Sequence, residues 1–162
     1  MANLYSAQKI LDGDRNIEIK VVGVLDSSNL TNEVVVEIDT LNPTRPPTTQ
    51  VSIAEIEYSI QDGLVVYLYW EATANKLIAP LTGRGIFPVA IGLTELQNDA
   101  GAGKTGDVLL STAGWSSGTL AFTIVIHFIK QSVDSDTSGN VFLLTQALDI
   151  ITTETGDGLL VT

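Results

Sequence analysis

Residues 101–106 read GAGKTG, a hexapeptide that contains the Gly-Lys-Thr of a P-loop and also matches the Gly-x-Gly-x-x-Gly of dinucleotide sites. Either motif would be phosphate chemistry, in which backbone N–H groups turn around an anion at the start of a helix. The P-loop needs a glycine five residues before Gly103, and Asn98 stands there. Both motifs need a helix behind them, whereas DVLLST (107–112) is short, apolar or β-branched, and framed by Gly106 and Gly114. That is the pattern of a strand between turns. The dinucleotide motif also asks for an acidic residue about 20 positions on, and none lies between Asp107 and Asp134. The hexapeptide is expected to be a glycine-rich turn with Lys104 exposed.

The other reactive residue types are equally sparse. His127 is the single histidine, on the strand face that also carries Val125 and Ile129. Without cysteine or a sequence-adjacent acid it is expected to be structural. DSDTSGN (134–140) offers Asp134, Asp136, Ser138 and Gly139, the first half of a calcium loop, but Thr145 occupies the position of the bidentate Glu. An acidic hairpin turn is expected instead. The pairs Asp12/Asp14 and Glu55/Glu57 lie two apart, on one face of an extended chain, and read as like charges on a solvated surface. Trp70 and Trp115, with Tyr67 and Tyr69, could stack on sugar rings, although aromatic side chains also fill sandwich cores. No catalytic residue, cofactor site or metal site is expected, and the chain is read as non-enzymatic.

These residues must be positioned by strands. Apolar residues recur with period two, or in short runs rich in Val, Ile, Leu and Thr, between Gly, Asp, Asn and Pro. The pattern predicts strands over 17–25, 33–39, 51–60, 64–72, 86–91, 107–112, 120–130 and 141–151. Asp62-Gly63 predicts a hairpin within 59–70, and LTELQND (93–99) alone looks briefly helical. The expected fold is all-β, a single-domain antiparallel β-sandwich over 1–162. It carries an N-terminal segment 1–16, a proline-rich segment 42–50 (NPTRPPTTQ) and a C-terminal arm 148–162. Three prolines in the second segment favour an extended path, as a crossing arm or as a plain loop.

Composition narrows the partners. Nineteen acidic residues against eight basic ones give a net charge of −11, which argues against binding nucleic acid or an anionic membrane. The basic residues are scattered singly. With 44% hydrophobic residues the chain should fold, and with no cysteine its stability must come from packing. No basic-plus-apolar leader and no run of about 18 apolar residues is present, so synthesis and folding in a cytoplasm are expected.

Three stretches share marks with a known group. They are DGDRNIEIKVVGVLD (12–26), LYWEATANKLIAPLTGRGIF (68–87) and KTGDVLLSTAGWSSGTLAFTIVIHFIK (104–130). The marks are Trp70-Glu71 with Thr73, the pair Gly83 and Gly85, and a Gly-Asp strand ending in Ser-Thr. Gly114 and a long strand closed by Lys130 follow. Over most of 12–130 the chain resembles the small virion proteins of tailed bacteriophages that decorate or cement the capsid. The resemblance implies a jelly-roll sandwich on the capsid surface, with the major capsid protein as partner. A homo-oligomer, dimer or trimer, is also expected. The candidate interface residues are Arg45, Pro46 and Pro47 in the proline-rich segment, and Leu148, Ile150, Ile151, Leu159, Leu160 and Val161 in the apolar tail. The alternative is a carbohydrate-binding or receptor-binding sandwich of a phage tail. Exposure of Trp70 and Trp115 separates the two.

Overall fold

Inward side chains at every second position decide the architecture. In NIEIKVVGVL, Ile17, Ile19, Val21, Gly23 and Leu25 are buried while the residues between them face outward, and LAFTIVIHFIKQ buries Phe122, Ile124, Ile126 and Phe128 in the same way. The computed structural model describes residues 1–87 and 95–132. They form nine strands: β1 (Leu4–Asp12), β2 (Asn16–Leu25), β3 (Glu33–Val36), β4 (Gln50–Ile60), β5 (Val65–Trp70), β6 (Lys76–Leu81), β7 (Arg84–Phe87), β8 (Val108–Ala113) and β9 (Leu120–Gln131). A 3-10 turn at Ile38–Thr40 is the single helical element among the described residues.

The strands make two antiparallel sheets, β1-β2-β9-β4-β7 and β3-β8-β5-β6. Their inner faces share one core. Ile19, Val21, Ile56, Ile124 and Ile126 of the five-stranded sheet are clustered with Val66, Leu68, Trp70, Val108 and Leu110 of the other. The fold is an all-β sandwich. It occupies Met1–Ser132, one of the two compact units into which the chain divides, and the other begins at Val133. From β2 to β9 the chain changes sheet at every connection except β5–β6.

The structure corrects several expectations. Asp62-Gly63 is a tight turn with Gly63 at φ +88°, but β4 and β5 do not pair with each other. β4 pairs with β7 and β9, and β5 with β6 and β8, so the turn is a corner between the two sheets. An Asp-Gly turn reverses the chain, and the pairing follows from which faces must be buried. Residues 4–12, inside the N-terminal segment 1–16 in which no strand is expected, read as an extended arm, form edge strand β1, paired along β2. Their exposure on both sides leaves no alternation to read. β6 was not expected, since Pro80 interrupts it, and Pro80 is tolerated because β6 is a sheet edge. Residues 95–99 are not helical: Leu96 forms an isolated antiparallel bridge to Ile53. The strand expected over 141–151 and the acidic turn 134–140 lie outside the described residues.

One end of the core is closed by charge. Lys130 continues the inward series of β9, and its side chain is only 3% exposed. Its Nζ lies 2.6 Å from Asp12 Oδ1 and donates to the Asn42 carbonyl at 2.9 Å. The other carboxylate oxygen of Asp12 accepts from the Asn42 N–H at 2.9 Å and from Lys9 Nζ at 3.3 Å. Burial pushes the Asp12 carboxyl up, but the hydrogen bonds from Lys130, Asn42 and Lys9 and the Lys130 charge outweigh it and hold it below the ordinary carboxylate value.

Candidate functional site

The outer face of the four-stranded sheet is unusual in carrying an apolar row. Val34 of β3 lies opposite Leu109 of β8, Leu109 opposite Tyr69 of β5, and Tyr69 opposite Leu77 of β6. All four strands contribute one side chain each, and none is charged. In the neighbouring row Ser111, Tyr67 and Pro80 stand side by side. Val34 is 45% and Leu77 44% exposed, large values for aliphatic residues in paired strands. Leu109 is buried without belonging to the inter-sheet core, so its neighbours on this outer face cover it. The Tyr67 and Tyr69 rings are 6.4 Å apart, with planes tilted by 33°.

The β-branched and aromatic run of β5 explains how the face arises. In VVYLYW, Val66, Leu68 and Trp70 point inward and are buried, which leaves Val65, Tyr67 and Tyr69 outward. A register shift between Leu68 and Tyr69 against β6 brings Leu77 opposite Tyr69. At the sheet margin Tyr5 of β1 donates its hydroxyl to the Val34 carbonyl at 2.8 Å, linking the two sheets. Burial, and after it the Glu33 charge, holds this phenol well above its ordinary value, so it stays a donor.

The other residues singled out in the sequence are dispersed. Trp70 is 2% exposed and lies in the core. Trp115 is half-buried against that core, with its indole N–H on the Gly118 carbonyl at 2.8 Å. The two tryptophans therefore offer no joint stacking platform. Arg45, Pro46 and Pro47 are exposed at the tip of the loop between Thr40 and β4. Within that loop the Thr44 hydroxyl donates to the Pro46 carbonyl at 2.8 Å and lies 2.8 Å from the Thr48 hydroxyl. Asn42, bonded to Asp12 and Lys130, fixes its start. Leu148, Ile150, Ile151, Leu159, Leu160 and Val161 lie outside the described residues.

GAGKTG is a loop followed by strand β8, with no helix behind it. The Thr105 N–H is taken up by the Glu71 carbonyl, and the N–H of Asp107, just after the hexapeptide, by the Thr105 hydroxyl. The Thr105 hydroxyl donates to the Glu71 carboxylate at 2.6 Å. Gly106 adopts φ +93°, and a Cβ there would collide with the Thr49 carbonyl, so glycine is required by packing. Asp107 accepts the Ile38 N–H at 2.8 Å. Its carboxyl is pushed up by burial, and further by the charges of Glu71, Glu37 and Asp39, against the lowering effect of the Ile38 bond. A phosphate here would meet negative charge. Replacing exposed Lys104 by Ala should change stability by no more than about 0.5 kcal/mol in urea unfolding, and the wild-type protein should show no saturable ATP binding by calorimetry.

His127 stands outward on β9, as its strand position predicts, but it has acidic neighbours that no sequence window reveals. Glu18 of β2 and Glu55 of β4 lie opposite it on either side. Sequence reading also missed Val34, Leu77, Pro80 and Leu109. Val34 and Leu109 lie in continuous apolar runs, Leu77 and Pro80 lie in the unexpected strand β6, and which strands would lie side by side was not visible. No protein-family model matches the chain, and no curated protein matches it either.

Proposed function

We propose that this chain is a non-enzymatic structural protein of a tailed-phage virion that binds the outer surface of the capsid and reinforces contacts between major capsid subunits. The observation that carries the docking part is the uncharged row Val34–Leu109–Tyr69–Leu77 with Tyr67 and Pro80. In a chain of net charge −11, two adjoining rows without charge that present two tyrosines have the composition of a protein interface, where aromatic residues are enriched and Lys, Glu and Asp depleted. The likeness of 12–130 to capsid-decorating proteins supports the choice of partner. The strand order, with alternation between sheets from β2 to β9, supports the jelly-roll form, an architecture that recurs in viral capsid and lectin domains.

The carbohydrate-binding alternative rested on a platform of aromatic rings. With Trp70 in the core and Tyr67 and Tyr69 tilted by 33°, the docking reading is preferred. Two measurements test it. Mass spectrometry of purified virions should find copies in the hundreds per particle on heads, and a handful would place the protein on a tail. Tyr69→Ala should weaken binding to capsids lacking the protein by about 2 kcal/mol, roughly 30-fold, as central interface tyrosines do. Unchanged capsid affinity in Tyr69→Ala and in Leu77→Asp would remove this face from the interface.

A further inference from the structure

The outer face of the five-stranded sheet holds a second cluster, of different chemistry. His127 on β9 lies directly opposite Glu55 on β4, and Glu57 follows two positions later on the same outward side. One ligand atom from each of Glu55, Glu57 and His127 falls within 4.8 Å of the other two. On the far side of β9, Glu18 of β2 lies opposite His127 and brings Oε2 to 3.8 Å from the ring Nδ1. We propose that Glu55, Glu57 and His127 form a site for one divalent transition-metal ion of the Zn2+ type, with Glu18 orienting the imidazole.

Four observations converge on it. The register shift between Ile53 and Glu55 turns the outward series of β4 so that Glu55, and not Ala54, faces His127, while Ile53 and Ile56 both remain in the core. Among the described residues, neither the Glu55 nor the Glu57 carboxylate has a hydrogen bond or an ion pair, in contrast to those of Asp12, Asp26, Glu71, Glu95 and Asp107. Their ligand oxygens lie within 4.8 Å of each other, and among the described residues no ion pair to a Lys or Arg offsets their repulsion. The donor set is one imidazole nitrogen and two carboxylates. That suits zinc, which takes His and Glu together, better than calcium or magnesium, which take oxygen almost exclusively. Finally, Glu18 Oε2 stands 3.8 Å from Nδ1, longer than a hydrogen bond but close enough for the half-exposed carboxylate to close onto it, and a carboxylate on the non-ligating ring nitrogen fixes tautomer and ring direction in metal-bound histidines. Ligands of one zinc lie about 3.4 Å apart, so half-exposed Glu55 and exposed Glu57 close the site by rotamer change alone. Three protein ligands leave a coordination position for water.

Because His127 is the chain's single histidine, its ring resonances report on the site without ambiguity. Zn2+ alone is titrated into chelator-treated full-length protein, followed by calorimetry and by long-range proton–nitrogen spectra of the imidazole. The expected result is one Zn2+ per chain with coordination at the ring nitrogen away from Glu18, unaffected by millimolar Mg2+. His127→Ala and the double change Glu55→Gln/Glu57→Gln should each weaken binding at least 100-fold. Glu18→Gln should weaken it about 10- to 100-fold with stoichiometry preserved. A ring spectrum that does not move in the wild-type protein overturns the proposal by itself, whether or not any variant folds. So does zinc binding that is unsaturable, or that keeps its affinity in His127→Ala.

Discussion

Asp12→Ala is expected to cost about 3–5 kcal/mol of folding stability in urea unfolding, the range seen when one partner of a buried ion pair is removed. The reason is the position of Lys130. Its side chain is 3% exposed and its ammonium has two partners, the Asp12 carboxylate and the Asn42 carbonyl. Without the carboxylate, a buried charge keeps a single neutral acceptor. Adding Lys130→Met should recover much of the loss, because an apolar side chain continues the inward series of Phe122, Ile124, Ile126 and Phe128. If the double variant is as unstable as the single one, the cost lies in the backbone around Asn42 and not in the unpaired charge. The pH dependence follows from the direction of the Asp12 shift. Its carboxyl is held below the ordinary value in the folded protein, so its contribution is fully present above about pH 4, where the unfolded group is ionised. That contribution is lost as pH falls through the folded value. Acid unfolding of the wild type should therefore steepen below about pH 4, and the Asp12→Ala variant should lack that component.

Trp70→Ala should cost about 3–5 kcal/mol, as large-to-small changes of buried aromatic residues do. Trp70 is among the largest fully buried side chains and ends β5, where it pairs with Lys76 and Val108. The loss should appear as a lowered urea midpoint with little change in slope. The result also bears on function. A residue that reads as a sugar-stacking ring is here a core residue, so its removal should act on stability and leave interactions of the folded fraction unchanged. A stable Trp70→Ala protein that had lost affinity for a glycan or a capsid would reverse that assignment.

Tyr67 and Tyr69 show how far sequence carries a candidate site. Their spacing puts both on one side of a strand, and the apolar 66, 68 and 70 decide that this side is outward. Their row could not be read, because Leu109 stands 40 residues and Val34 35 residues from Tyr69 in sequence, and they and Leu77 meet it only through pairing. His127 is the same case. Its face followed from period two, whereas Glu18 and Glu55 reach it from strands β2 and β4 on either side.

The sequence by itself determined the all-β character, the faces of the alternating strands, the turns at Gly63, Gly106 and Gly114, and that a strand and not a helix follows GAGKTG. Each depends on neighbours within a few residues: alternation sets a face, positive φ selects glycine, and a phosphate loop needs a helix directly behind it. Only the tertiary structure decided that Asp62-Gly63 turns a corner between sheets, that 4–12 is an edge strand, and that Lys130 is buried against Asp12. It also decided which outward rows are apolar and which gather carboxylates around a histidine. Pairing is fixed by the burial of two inner faces at once, a condition on residues from all nine strands that no local stretch of chain contains.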